Sequence, residues 1–300
     1  MASTKRPLAG MDGFTLTKRF PLLASFLPLI VLMAVAYVWP IAAIVRGSFS
    51  DEDGLFAGRQ NYTDVLGSYY FWDSLWFSLR VSLISTFLSI VLAAALAMAL
   101  RETFAGKKIA LFISQYNLSI PRMAAAMIMV FLLSQTGLLS AVSHALGFTE
   151  SVGGFPWLVY DAKGKGLILV FVWKFFPYIC ISMLGVLQGA SIEYEQQAAA
   201  LGVGKWRRFF FVVLPTVAPA IAVSSILVFA ASFGDYEAPA ILGSAQERSL
   251  SVMLYLKYAD PDMRDRPEAF AIMVLMGLVL MAVVVAYRRA AAGGTRKRGL

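Results

Sequence analysis

One histidine, His144, and one cysteine, Cys180, occur among 300 residues. A Ser-His-Asp relay needs its histidine held against a serine and an acid, and the only candidate lies in a connecting stretch between apolar runs. A cluster of His or Cys metal ligands needs several such residues, and a single cysteine forms no internal disulfide. The phosphate-cradling pattern G-x-x-x-x-G-K-[ST] is also missing. Its nearest approaches, Gly106-Lys107 and Gly204-Lys205, lack the upstream glycine and the following hydroxyl. The sequence therefore offers no catalytic set and no metal site, and it cannot hydrolyse ATP alone. What remains chemically notable is charge and polarity inside apolar surroundings. Arg122 and Lys174 interrupt hydrophobic runs. Gln115, Asn117 and Ser119 precede Pro121. Asp235, Tyr236 and Glu237 sit where another run ends. A cation at the centre of a membrane span costs roughly 2.5–3.5 kcal/mol, so Arg122 and Lys174 are expected to face a cavity or a partner. A proline beside them frees backbone carbonyls to line such a cavity. Lys174 also has the reach to snorkel outward or to pair with an acid such as Asp235.

The elements that hold these residues are long apolar runs. Hydrophobic side chains make up 59% of the chain and charged ones 15%, against roughly 25% charged in an ordinary soluble domain. The runs are apolar on every face for about 20 residues, the length that crosses a bilayer. They predict an all-α membrane protein with six spanning helices: residues 21–45, 77–100, 109–133, 166–189, 212–233 and 269–287. The stretch 46–76 reads as an outer loop, and the link 101–108 permits only a tight return between the second and third spans. With residues 1–20 as an inner tail and 289–300 as a basic tail near anionic lipid, the bundle occupies 21–288. Lys and Arg outnumber acids on the segments this topology places inside, and acids outnumber them outside, as the positive-inside rule requires. The net charge of +8 is thus a mark of topology, with both termini inside, and calls for no nucleic acid.

The loop at 190–211 is too organised to be a plain connector. Glu193 and Glu195 favour the positive end of a helix, Ala198, Ala199 and Ala200 have the highest helix propensity, and Gly202 supplies a stop. A second segment begins at Lys205 and leads to Pro215. The alanines leave a side on which another protein surface can approach closely. Equally, Lys205, Arg207 and Arg208 with Trp206 and Phe209 to Phe211 compose an amphipathic segment lying on lipid.

This loop resembles that of the membrane subunits of binding-protein-dependent ABC importers, whose pattern is E-A-A-x-x-x-G-x9-I-x-L-P. With Gly202 on the pattern glycine, Val212, Leu214 and Pro215 fall on its last three specified positions, Val replacing Ile. Ala198 matches the second alanine. Gln196 replaces the glutamate, Gln197 the first alanine, and Glu195 lies one place away. Further likeness lies in Phe56, Asn61, Tyr62 and Leu66, in Phe71-Trp72, in the Gly-Leu-Leu at 137–139, and in FGDYEAPAILG at 233–243, which looks most like permeases of polyamine-type importers.

The resemblance implies a type I importer permease of the bacterial cytoplasmic membrane, importing a small solute such as a polyamine. It implies three kinds of partner: two ATPase subunits, a second permease and an extracytoplasmic binding protein. The 190–211 loop becomes the coupling element on the ATPase, which alone uses ATP and Mg. The departures at Gln196 and Gln197 suggest a heterodimer whose partner keeps the better motif. Charge signs conflict over the solute, since Asp235 and Glu237 suit a cation whereas Arg122 and Lys174 favour an anion or zwitterion. The rival class is a stand-alone secondary transporter or channel using Arg122, Lys174 and Asp235 for ion coupling.

Overall fold

The computed structural model describes residues 20–101, 105–187, 191–261 and 263–296. Every named element among them is helical, and the only bridge between extended residues joins Ser50 and Phe56. Among the described residues, six helical stretches are long and apolar enough to cross a membrane: Phe26–Ser48, Tyr69–Leu100, Arg122–Ala145, Lys165–Leu187, Lys205–Phe233 and Arg266–Arg289.

The first is built from α1 (Phe20–Met33) and α2 (Trp39–Ser48), joined by a π-helical turn at Ala34–Val38. A proline ring collides with the carbonyl four residues before it, and a widened turn relieves that collision. Pro40 stands directly after this turn, and the same device recurs later before Pro215. The side chains of Phe26 to Tyr37 are all exposed to the surroundings of the chain, whereas the end of α2 packs on the last helix, α14 (Arg266–Arg296), with Gly47 against Phe270.

The stretch expected as an outer loop contains α3 (Gln60–Gly67) and the first turns of α4 (Tyr69–Arg101), which begins eight residues before the expected span. Asn61 donates to the carbonyls of Ser48 (3.0 Å) and Ser50 (2.8 Å), and Tyr62 shares a 2.7 Å hydrogen bond with the Ser48 hydroxyl. These two residues bind α3 to the end of α2.

Helix α4 is the central beam, packing on α8 (Lys165–Leu187) and α11 (Leu214–Phe233). Its buried side carries Ser74, Ser78, Ser82, Ser85, Ser89, Ala93 and Ala97, spaced three or four apart. In lipid, where association rests on van der Waals contact, small residues at this spacing let helices approach closely. Around the Ala93 end the core is Ile179, Met183, Leu187, Val213 and Val217; around the Phe77 end it is Val81, Met129, Val170 and Phe171.

The expected third span is not one helix. Pro121 divides it into α5 (Lys107–Ser119) and α6 (Arg122–Leu133), and α6 continues across a turn into α7 (Leu138–Ala145), which contains His144. The residue before a proline is driven out of helical conformation, and Ile120 is extended, with φ −73° and ψ 127°. The last helix also departs from expectation: α14 runs through 289–296, where a tail was expected. The inner tail at 1–19 and residue 190 of the expected loop lie outside the described residues.

Gly166, near the start of α8, is closely invested: a Cβ there would lie 2.1 Å from the Leu158 carbonyl oxygen. Gly166→Ala is therefore expected to destabilise the bundle by about 1–3 kcal/mol, read as a lower unfolding midpoint of the purified chain in a denaturing-detergent titration; an unchanged midpoint would contradict this packing.

Candidate functional site

Stopping a helix at Ser119 leaves carbonyls without intrahelical partners, and lipid provides none. Lys174, in the middle of α8 and 8% exposed, supplies them. Its Nζ donates to the carbonyl of Asn117 at 2.7 Å and to that of Ile120. The Asn117 amide in turn donates to the Trp173 carbonyl. The expected pairing of Lys174 with Asp235 does not occur, nor does Lys174 snorkel outward; its charge is spent on the negative end of α5.

The acid pairs with Arg122 instead. Arg122 is the first residue of α6, and its Nη1 stands 3.4 Å from Asp235 Oδ1. The two sides of this pair differ: the Arg122 side chain is 52% exposed and that of Asp235 3%. Asp235 is fixed by its other oxygen, which accepts from the Ala238 N–H at 3.1 Å at the start of α12 (Glu237–Leu242), and its carbonyl accepts from the Ser251 hydroxyl at 2.6 Å. Ser251 belongs to α13 (Leu250–Tyr258), whose first N–H donates to Ser78 of α4. A polar chain thus links α8, the α5–α6 break, the end of α11 and α13.

Beside the break lies a cavity of about 420 Å³, walled by Leu118 to Arg122, by Lys174 and Tyr178 of α8, and by Leu227 and Ala231 of α11. Of the expected pathway residues, Arg122 and Lys174 meet here and Asp235 stands behind Arg122. Asn117 is buried and holds the wall from outside. Gln115 is exposed on α5, Tyr236 is exposed and lies tilted against Tyr255 with ring centroids 4.4 Å apart, and Glu237 is exposed at the start of α12; none of the three lines the cavity. Tyr178 was missed, although its position one turn beyond Lys174 puts it on the same helical face. Arg80, expected within a span, pairs at 3.3 Å with Glu247 of the α12–α13 connection.

At the other candidate site, α9 (Ser191–Ala200) ends in a left-handed Gly202 with φ +75°. The Gly202 N–H bonds the Ala199 carbonyl and the Val203 N–H the Ala198 carbonyl, the double closure of a Schellman stop. A Cβ on Gly202 meets nothing within 4 Å, so the glycine is required by its backbone conformation and not by crowding. Gln196, Gln197, Ala199 and Ala200 are exposed, Glu195 and Ala198 half-buried, and Leu201 at the tip is 83% exposed. The second segment, α10 (Lys205–Arg208), passes through a π turn at Phe209–Val213 into Leu214, Pro215 and α11 without interruption. Exposed Lys205 and Arg207 flank Trp206, which stacks on Phe210 with Phe211 also exposed. The exposed aromatic edge and the exposed tip of α9 therefore occupy separate segments of one elbow.

Residues 87–297, most of the chain and including both sites, match the family model described as binding-protein-dependent transport system inner membrane component. The chain belongs to that family. It is 26% identical to the inner membrane ABC transporter permease protein YcjO of Escherichia coli (strain K12) over 87% of this chain and 91% of that one. It is also 26% identical to the sulfoquinovosyl glycerol transport system permease protein SmoG of Agrobacterium fabrum (strain C58 / ATCC 33970), over 87% of each. Its fold is shared with a chain of a bacterial ABC transporter involved in the import of the acidic polysaccharide alginate, with a TM-score of 0.77 over 95% of this chain and 98% of that one at 17% identity.

Replacing Lys174 by the apolar, similarly long methionine leaves the Ile120 carbonyl without its donor, while the Asn117 carbonyl keeps only the Ile120 N–H at 3.2 Å. An orphaned carbonyl costs about 1–3 kcal/mol. Lys174→Met is expected to speed amide hydrogen exchange around residues 117–124 in lipid nanodiscs; protection equal to the parent would refute the tether.

Proposed function

We propose that this chain is the permease subunit of an ATP-driven importer that carries a sugar-type solute handed over by an extracytoplasmic binding protein. The observation that carries the reading is the elbow: a short helix with an exposed tip, stopped by left-handed Gly202 and continuous through α10 and the π turn with α11, in a chain of the inner-membrane-component family. In this reading the elbow faces the cytoplasm and Leu201, Gln196, Gln197 and Ala200 dock on the ATPase subunit, which binds ATP and Mg. Displacement of α9 then passes along α10 into α11, whose Leu227 and Ala231 border the cavity. The neutral Gln196 docks by shape, without an ion pair. A second, non-identical permease completes the pathway, and both termini lie inside.

The solute class rests on the relatives, one a permease for sulfoquinovosyl glycerol and one an importer of alginate. The polyamine-type assignment drawn from residues 233–243 finds no support among them. Of the two acids that would have met a polyamine, Asp235 is 3% exposed and already engaged by Ala238 and Arg122, and Glu237 is exposed at the start of α12, off the cavity lining.

The test is reconstitution with the ATPase, the second permease and the binding protein. Loaded binding protein is expected to stimulate ATP hydrolysis. Leu201→Asp, at an exposed position that the bundle does not use, is expected to abolish stimulation while insertion and unfolding midpoint stay unchanged. Gly202→Val forces a β-branched residue into left-handed conformation at a cost of about 1–2 kcal/mol and is expected to uncouple likewise. Full stimulation with both variants would remove the elbow from the mechanism, and transport by this chain without nucleotide would favour a secondary transporter. A purified complex holding a single permease species would exclude the heterodimer.

A further inference from the structure

The cavity at the Pro121 break combines features that select a particular ligand chemistry. Of its lining residues, Arg122 and Lys174 are the only charged ones, both are basic, and the rest of the wall is largely apolar. Lys174 is already committed to two carbonyls. Arg122 is not saturated: among the described residues its one polar contact is an Asp235 oxygen at 3.4 Å, longer than the roughly 2.7–2.9 Å of a well-formed charge-assisted bond. A guanidinium carries five donors in a fork matched to carboxylate, sulfonate and phosphate, and more than half of this side chain is exposed. Arg122 also opens α6, a helix of 12 residues whose first N–H groups have no intrahelical acceptor and whose dipole adds positive potential at the same place. Asp235 cannot follow Arg122 into the cavity, because its other oxygen is held by Ala238 and its carbonyl by Ser251.

We propose that the cavity beside the α5–α6 break is an anion-recognition site, in which Arg122 exchanges its long contact with Asp235 for the carboxylate, sulfonate or phosphate of a passing sugar-type solute. Asp235 is the positioning residue. It stores the guanidinium at the cavity rim when no anion is present and reclaims it afterwards, so that the site binds weakly enough to release. The proposal rests on the importer reading for the solute's passage, but binding at the cavity is independent of coupling to ATP.

The experiment uses the full chain in phosphatidylcholine nanodiscs, with thermal stability followed on titration with glucuronate or glucose 6-phosphate, and with glucose and spermidine as controls. The two anionic sugars are expected to give a saturable upward shift and the controls none. Arg122→Gln removes the charged donor and is expected to weaken anion affinity about tenfold or more, while Arg122→Lys retains part of it. Asp235→Asn keeps an acceptor for Ala238 but removes the competing charge, and it is expected to tighten anion binding several-fold, a gain that misfolding cannot mimic. The proposal is overturned by the absence of any anion response, by equal responses to glucose or spermidine, by the same affinity in Arg122→Gln, or by weaker binding in Asp235→Asn. A headgroup phosphate has the same chemistry as the solute anion, so the titration is repeated in phosphatidylglycerol discs. Persistence of the response there supports the solute; its disappearance assigns the site to lipid and overturns the solute claim. Failure of binding-protein-stimulated ATP hydrolysis with an intact anion response would count against the importer reading alone.

Discussion

A helix that stops inside a bilayer must find partners for the carbonyls it leaves behind, and in this bundle one lysine does so. The Lys174 ammonium, itself costly to hold in an apolar interior, and the open carbonyl of Ile120 are each unfavourable alone and compensate one another, with the Asn117 carbonyl, which also accepts the Ile120 N–H, as a second acceptor. Pro121 can therefore break the chain without exposing backbone to lipid. The break in turn places Arg122 at a helix start with its side chain half free, and it provides one wall of the cavity. Removing the tether would undo the arrangement of charge around it.

Much of this architecture was legible in the residue pattern. Among the described residues six apolar stretches of spanning length are present, five close to where hydropathy placed them and the third displaced from 109–133 to Arg122–Ala145, because in lipid the helix is the only open-ended structure that satisfies its own backbone. The stop at Gly202 was legible because few residues other than glycine take a left-handed conformation cheaply. The division at Pro121 was only half visible. Proline signalled irregularity, but whether the helix bends or stops depends on a partner 54 positions later in the chain, on α8. Which base would meet Asp235 was a question of helix packing, and spacing along the chain does not reach it. The early start of α4 was hidden because its first turns are rich in aromatics and polar residues that also suit an interfacial loop.

The stretches that resemble other permeases acquire individual physical reasons. Asn61 and Tyr62 close the end of α2. Ser78 accepts the first N–H of α13. Asp235, within the stretch that suggested a polyamine carrier, caps α12 and holds Arg122. A segment can thus look like a specificity signature while its most conspicuous residue is occupied with holding the bundle together.

The widened turn at Phe209–Val213 has a mechanical meaning. A proline normally weakens the rod it sits in, and a weakened rod hinges where it is pushed. By enlarging the loop of backbone ahead of Pro215, the chain keeps α10 and α11 as one continuous shaft. In the proposed mechanism, torque applied at α10 arrives near the cavity as tilt of the whole shaft, with little dissipated in a local bend.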